Sequence, residues 1–238
     1  MPSVFGKNNR KFDKRNDLHI EDDEAHDFET IKKEIENNLE RYSQKRAVLV
    51  FFENEAKLNK FYESNNFKVL KEKASILTER ANAKEKSDFV SVATLAGKIS
   101  LMPRCFGRGT DFKCLDDDVI KFGGIHVIQT FLSLDRSEEV QIQGRSARHG
   151  DDGSYSMVLL KSELEAFLIK EIPENDRYIY LDMMRNKYFD NDNLKNEHLI
   201  KESNIEHKKS MQFLEDLLSK NDNSIRKYLL EMNRGILL

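Results

Sequence analysis

The chain has 238 residues, enough for one ordinary α/β domain with a helical appendage and for a sizeable buried core. Charged residues make up 34%, mean hydropathy is -0.67, and no apolar run approaches the roughly 20 residues of a membrane span, which excludes a hydrophobic helix that crosses a bilayer. A net charge of -3, with no dense Lys/Arg stripe, weighs against strong nucleic-acid binding. Residues 1–7 contain no apolar stretch of signal-peptide length, and Cys105 and Cys114 lack CxxC spacing. The expectation is therefore a reducing, cytoplasmic or organelle-soluble setting, with a peripheral membrane position left open, free thiols and no metal ligands.

Taken in chain order, Phe28, Ile31, Ile35, Leu39 and Tyr42 recur every three or four positions and predict a helix over residues 22–44. The continuous apolar run 47–52 predicts a buried strand, after which Glu53-Asn54-Glu55 opens a helix carrying Leu58, Phe61 and Tyr62. Residues 74–77 read as a strand, 80–96 as a helix stopped by Gly97, and 98–102 as a strand. Gly107-Arg108-Gly109 follows, then an acidic loop at 116–118. Gly123-Gly124 introduces a strand over 125–128, a helix spans 137–148, and a strand spans 154–160. Strands alternating with helices imply right-handed crossovers and a parallel α/β sheet covered on both faces, with functional loops beyond the carboxyl ends of the strands. After Ser162 no strand is expected. Helices around Leu164-Phe167-Leu168, Tyr178-Leu181-Tyr188 and Phe213-Leu214-Leu217 are predicted to break near Pro173, at 191–193 and at 221–223. The expected division is residues 1–161 for the α/β lobe and 162–238 for a helical extension.

Two loops carry the chemistry. In the first, residues 105–111, Gly107 and Gly109 allow backbone N–H groups to approach an anion, Arg108 adds charge, and Asp111 can accept from a ribose hydroxyl or a water. The same residues also suit a plain Gly-x-Gly turn. In the second, residues 141–151, Arg145 and Arg148 stand three apart on an expected helical face, and their planar forks suit a cluster of phosphate oxygens. Surface pairing of these arginines with Glu138 or Glu139 is the alternative.

The order of these segments, a strand, Gly107-Arg108-Gly109-Thr110-Asp111, the strand opened by Gly123-Gly124, then Gln141-x-x-Gly144-Arg145-x-x-Arg148, resembles motifs V and VI of superfamily 2 helicases. More narrowly, the stretch 122–130 at its distance from Gly144-Arg145-Ser146 resembles the SecA family of preprotein translocase ATPases. The resemblance covers roughly residues 2–160 and implies a RecA-like second motor lobe. It makes Asp111 a nucleotide contact, with Gly107, Arg108, Gly109 and Thr110 shaping the loop. It also makes Arg145 and Arg148 the phosphate-facing arginines, with Gln141 and Gly144 helping to position the site. Pro103 and Gln143 depart from the family pattern, which has an arginine where Gln143 stands.

A complete motor of this kind also needs a Gly-x-x-x-x-Gly-Lys-Ser/Thr phosphate cradle and an acidic pair for magnesium, and neither is here. Gly97-Lys98 is followed by Ile99 at a helix-to-strand turn. The string Asp23-Glu24-Ala25-His26 spells a helicase box, but it reads as an acidic first helical turn. His126, in the strand, reads as a packed or edge residue rather than a general base, with no carboxylate partner assignable from sequence. The resemblance thus implies ATP with magnesium bound only together with a first motor lobe, in the same longer chain or a separate subunit, and no hydrolysis by this chain alone. The further partners it implies are a preprotein and a membrane translocation channel. Two rivals are a nucleic-acid helicase lobe, with Arg104, Lys113 and loop residues on a phosphate backbone, and a binding module that keeps the fold without ATP coupling.

Overall fold

The computed structural model describes residues 9–147 and 150–219. Its elements run β1 (Asn9–Lys11), β2 (Leu18–Glu21), α1 (Glu24–Glu40), β3 (Val48–Phe52), α2 (Glu55–Glu63), a 3-10 stretch (Asn65–Lys73), β4 (Ala74–Ile76) and α3 (Ala83–Ala93). There follow β5 (Ile99–Pro103), a 3-10 turn (Arg104–Gly107), α4 (Asp117–Lys121), β6 (Ile125–Gln129), α5 (Arg136–Gln143), β7 (Asp152–Leu160), α6 (Lys161–Leu164) and α7 (Arg177–Ser219).

Every strand pairing is parallel, in the order β1-β7-β6-β3-β5-β4. All five residues of each of β3, β5 and β6 are buried, as expected where both faces of a sheet are covered. The pleat divides them. Leu49 and Phe51 of β3 pack with Phe89, Ile142, Tyr178 and Leu181 from α3, α5 and α7. Val48, Val50 and Phe52 pack with Ile31, Ile35, Leu39, Leu58 and Phe61 from α1 and α2. The expected parallel sheet between two helical layers is therefore present.

Several boundaries differ from the sequence reading. β1 and β2 extend the sheet: both lie on one edge of β7, Asn9 opposite Asp152 and Leu18 opposite Met157, with residues 12–17 looping out between them. Together they cover an edge that would otherwise present unpaired backbone groups. The helix expected over 137–148 stops at Gln143. Arg145 N bonds Ile142 O and Ser146 N bonds Gln143 O, tighter three-residue steps that unwind the helix end, so Arg145 stands beyond it. α7 runs unbroken through Asn191-Asp192-Asn193. Asn and Asp cost at most about 0.7 kcal/mol each in a helix, too little to stop one already propagating. The break expected at 221–223 lies outside the described residues.

The chain forms two compact units, one reaching Tyr188 and one starting at Phe189. In the first, Leu164, Ile169, Tyr178 and Leu181, all beyond β7, join the core of the sheet. In the second, α7 exposes Leu199, Ile200 and Ile205. Asp23 caps α1, its Oδ1 accepting from His26 N at 3.0 Å, so the helicase-box string is the start of a surface helix.

Candidate functional site

The chain leaving the carboxyl end of β5 and the helix that follows β6 meet beside Phe51 of β3, and three sets of side-chain bonds hold them together. Arg104, in the turn after β5, places its fork on Glu138 of α5, Nε to Oε1 at 2.9 Å and Nη2 to Oε2 at 2.5 Å. Arg108 donates from Nη2 to Asp135 Oδ2 (3.2 Å) and to Ser137 Oγ (3.1 Å) at the start of α5. Bonds from Ser137, with Arg108 adding to them, hold the Asp135 carboxyl below its usual range. Beyond the other end of α5, Arg145 donates from Nε (3.1 Å) and Nη2 (2.6 Å) to the carbonyl oxygen of Gly107.

The two motif segments are thus one body. Gly107 is buried because α5 needs its space: a Cβ there would lie 2.6 Å from Cγ1 of Ile142. Gly109 turns the exposed tip of the loop with φ +69°, a conformation that favours glycine. Thr110 is buried, and its hydroxyl has no hydrogen-bond partner among the described residues. Asp111 is exposed on the same loop, with Lys113 Nζ 3.6 Å from its Oδ2. Gly144 caps α5, its N–H donating to Val140 O at 2.9 Å.

Of the expected site residues, Gly107, Arg108, Gly109, Thr110, Asp111, Gly144 and Arg145 gather here. Gln141 is exposed on α5 and makes no side-chain hydrogen bond among the described residues. Arg148 lies outside the described residues. Arg145 is only 6% exposed, and burial lowers its pKa. Neither Glu138 nor Glu139 is its partner. Glu139 is instead bound from α7, by Arg185 Nη1 at 2.5 Å on Oε2 and by the Tyr178 hydroxyl on Oε1. Burial, then the Glu139 carboxylate, push the Tyr178 hydroxyl up to about 12. Gln143 Nε2 also donates to Glu139 Oε1, at 2.8 Å. Sequence reasoning singled out neither Arg185 nor Glu139 as a functional pair, and their separation of 46 positions carries no local signal.

At the other end of the sheet, Arg46 holds the Gly123-Gly124 turn. Its guanidinium donates to Gly124 O (2.8 Å), Gly123 O (2.9 Å), Ser154 Oγ (2.8 Å) and Asn38 Oδ1 (2.8 Å). Gly124 has φ +71°, and a Cβ there would lie 1.7 Å from Asp152 O. His126 is packed, as expected: it is buried, with Ser154 Oγ 2.7 Å from Nδ1 and Ser156 Oγ 3.2 Å from Nε2. Glu34 faces it at 3.6 Å. Burial opposes charge on Glu34, but bonds with His126 and His19 outweigh it and hold the carboxyl below its usual range. Gly97 makes a left-handed helix-to-strand turn, its N–H donating to Arg46 O, and is no phosphate cradle.

No family model matches the chain. Protein translocase subunit SecA of Syntrophobacter fumaroxidans is 35% identical over 131 residues, which are 55% of this chain and 15% of that protein. Protein translocase subunit SecA 2 of Listeria monocytogenes is 39% identical over 90 residues, 37% of this chain and 11% of that protein. The chain therefore spans only a small part of the length of these curated relatives. Among solved structures, Mss116p DEAD-box helicase domain 2 bound to an RNA duplex overlaps 64% of this chain and 59% of its own, at 16% identity and a TM-score of 0.47. Over about half its length, this chain is similar in sequence to a segment of SecA and SecA 2 proteins.

Proposed function

We propose that the chain is the second nucleotide-site lobe of a SecA-like, ATP-dependent motor that serves protein translocation. In this reading it completes a site for ATP with magnesium whose phosphate cradle lies on a first motor lobe, in the same longer chain or another subunit. The observation that carries the reading is the joining of the 104–111 loop to α5 by Arg104, Arg108 and Arg145 at the carboxyl end of a parallel sheet, in a chain with SecA relatives.

The residues present fit part of a nucleotide site. Asp111 and the left-handed turn at Gly109 stand exposed on one loop, beside the Thr110 hydroxyl, which has no hydrogen-bond partner among the described residues. Arg145 binds Gly107 through Nε and Nη2, so its Nη1 is the end assigned to a phosphate oxygen, with Arg148 its companion. Preprotein and a membrane translocation channel are the partners this reading assigns to the assembled motor. In the nucleic-acid alternative, Glu138 engages Nε and Nη2 of Arg104, which leaves Nη1 for a backbone phosphate.

The test is ATP turnover by the purified chain. Hydrolysis at background level is expected, because the phosphate cradle is missing. Robust magnesium-dependent turnover would overturn the half-site reading.

A further inference from the structure

Glu139 sits in the middle of α5 and is 1% exposed. A carboxylate so placed needs counter-charge; on α5 its hydrogen-bond partner is Gln143, a neutral donor, while Arg136 of α5 and Arg10 of β1 act on it through their charges. Its ion-pair partner comes from α7. Arg185, itself 1% exposed, donates from Nη1 to Glu139 Oε2 and from Nη2 to Asp182 Oδ1. Asp182 in turn takes the guanidinium of Arg136, the first residue of α5. The opening turns of α7 therefore grip α5 at its start and at its middle.

On its other side α5 holds the loop, through Glu138 to Arg104 and through Asp135 and Ser137 to Arg108, while Arg145 just past its end holds Gly107. If Arg185 were removed, Glu139 would lose its buried ion-pair partner and keep the Tyr178 and Gln143 hydrogen bonds with the field of Arg10 and Arg136, so α5 would shift to hydrate it. Every tie between α5 and the loop would shift too. We propose that Arg185 is a positioning residue: it fixes α5 and, through α5, the 104–111 loop, so that the segment after the sheet sets the geometry of the site. Arg185 thereby provides, from a different helix, a guanidinium close to the place where the SecA resemblance puts an arginine and this chain has Gln143. The geometry alone carries this inference, and it stands or falls separately from the ATP reading.

Amide hydrogen exchange on the full chain, without nucleotide, tests it. In Arg185→Met, amides of residues 104–111 and of α5 should exchange about tenfold faster while those of β3 and β5 keep their rates, as a local opening requires. Adding Glu139→Gln removes the stranded charge and should return the loop to within about threefold of the original rate. If Arg185→Met does not fold, Arg185→Lys, which keeps a charge but loses the fork, should accelerate the same amides by about threefold. Loop amides at their original rates, or equal acceleration of loop, β3 and β5, would overturn the proposal, since the latter is only a general loss of stability.

Discussion

Arg145 and Gly107, 38 positions apart, are joined by two N–H donors on one carbonyl oxygen, at 3.1 and 2.6 Å. The contact ties the end of α5 to the glycine loop and explains why an arginine is needed there. A lysine ammonium keeps the charge but cannot reproduce the planar fork. Arg145→Lys should lower stability by about 1–3 kcal/mol, read from the urea midpoint. An unchanged midpoint would show the fork to be dispensable.

The glycines should rank by what surrounds them. Gly124→Ala meets a backbone oxygen at 1.7 Å in a left-handed conformation, so it should prevent folding or cost well above 3 kcal/mol. Gly107→Ala meets side chains alone, Ile142 at 2.6 Å and Phe51 at 3.9 Å, so overpacking should cost about 1–3 kcal/mol and be relieved in part by Ile142→Ala. Gly109→Ala meets nothing within 4 Å and should cost about 1 kcal/mol, from its positive φ alone. Thermal unfolding of the three variants gives the order, and Gly109→Ala emerging as the most damaging would contradict it.

Asp27 offers a pH signature. It lies in the first turn of α1, is buried, and has an Oδ1 without a hydrogen-bond partner among the described residues. Burial, then the nearby Glu163 and Glu21 carboxylates, raise it to about 7, with Lys57 opposing. The folded state thus binds this proton more tightly than the unfolded chain does. The resulting cost is absent below about pH 4, grows through the interval to about 7, and is complete above it. Asp27→Asn should accordingly stabilise the protein at pH 8, by at most about 4 kcal/mol, and change little at pH 4. Equal effects at both pH values would show that Asp27 does not titrate in this way.

Much of the sheet was legible because its strands advertise themselves. Residues 47–52 are apolar throughout, and the threefold and fourfold spacing of Ile31, Ile35 and Leu39 marks the buried face of α1. β1 and β2 were not legible, being three and four residues long, partly polar, and held by pairing with a strand more than a hundred positions away. At the candidate site, the residue types and spacing of Gly107 to Asp111 and of Gly144-Arg145 marked two segments that the structure brings together, but not what their side chains touch. Glu138 and Glu139, adjacent in sequence, turn to Arg104 and to Arg185, a division set by packing on α5 that no local pattern records.

The most direct test of the half-site reading is the affinity of a non-hydrolysable ATP analogue, with magnesium, for this chain combined with a first motor lobe of the SecA type. Saturable binding that neither part shows alone, weakened at least about tenfold by Asp111→Ala through loss of a charged hydrogen bond, is the expected result. Binding by the two-lobe assembly that is indifferent to Asp111→Ala, or no gain over the first lobe alone, would contradict it.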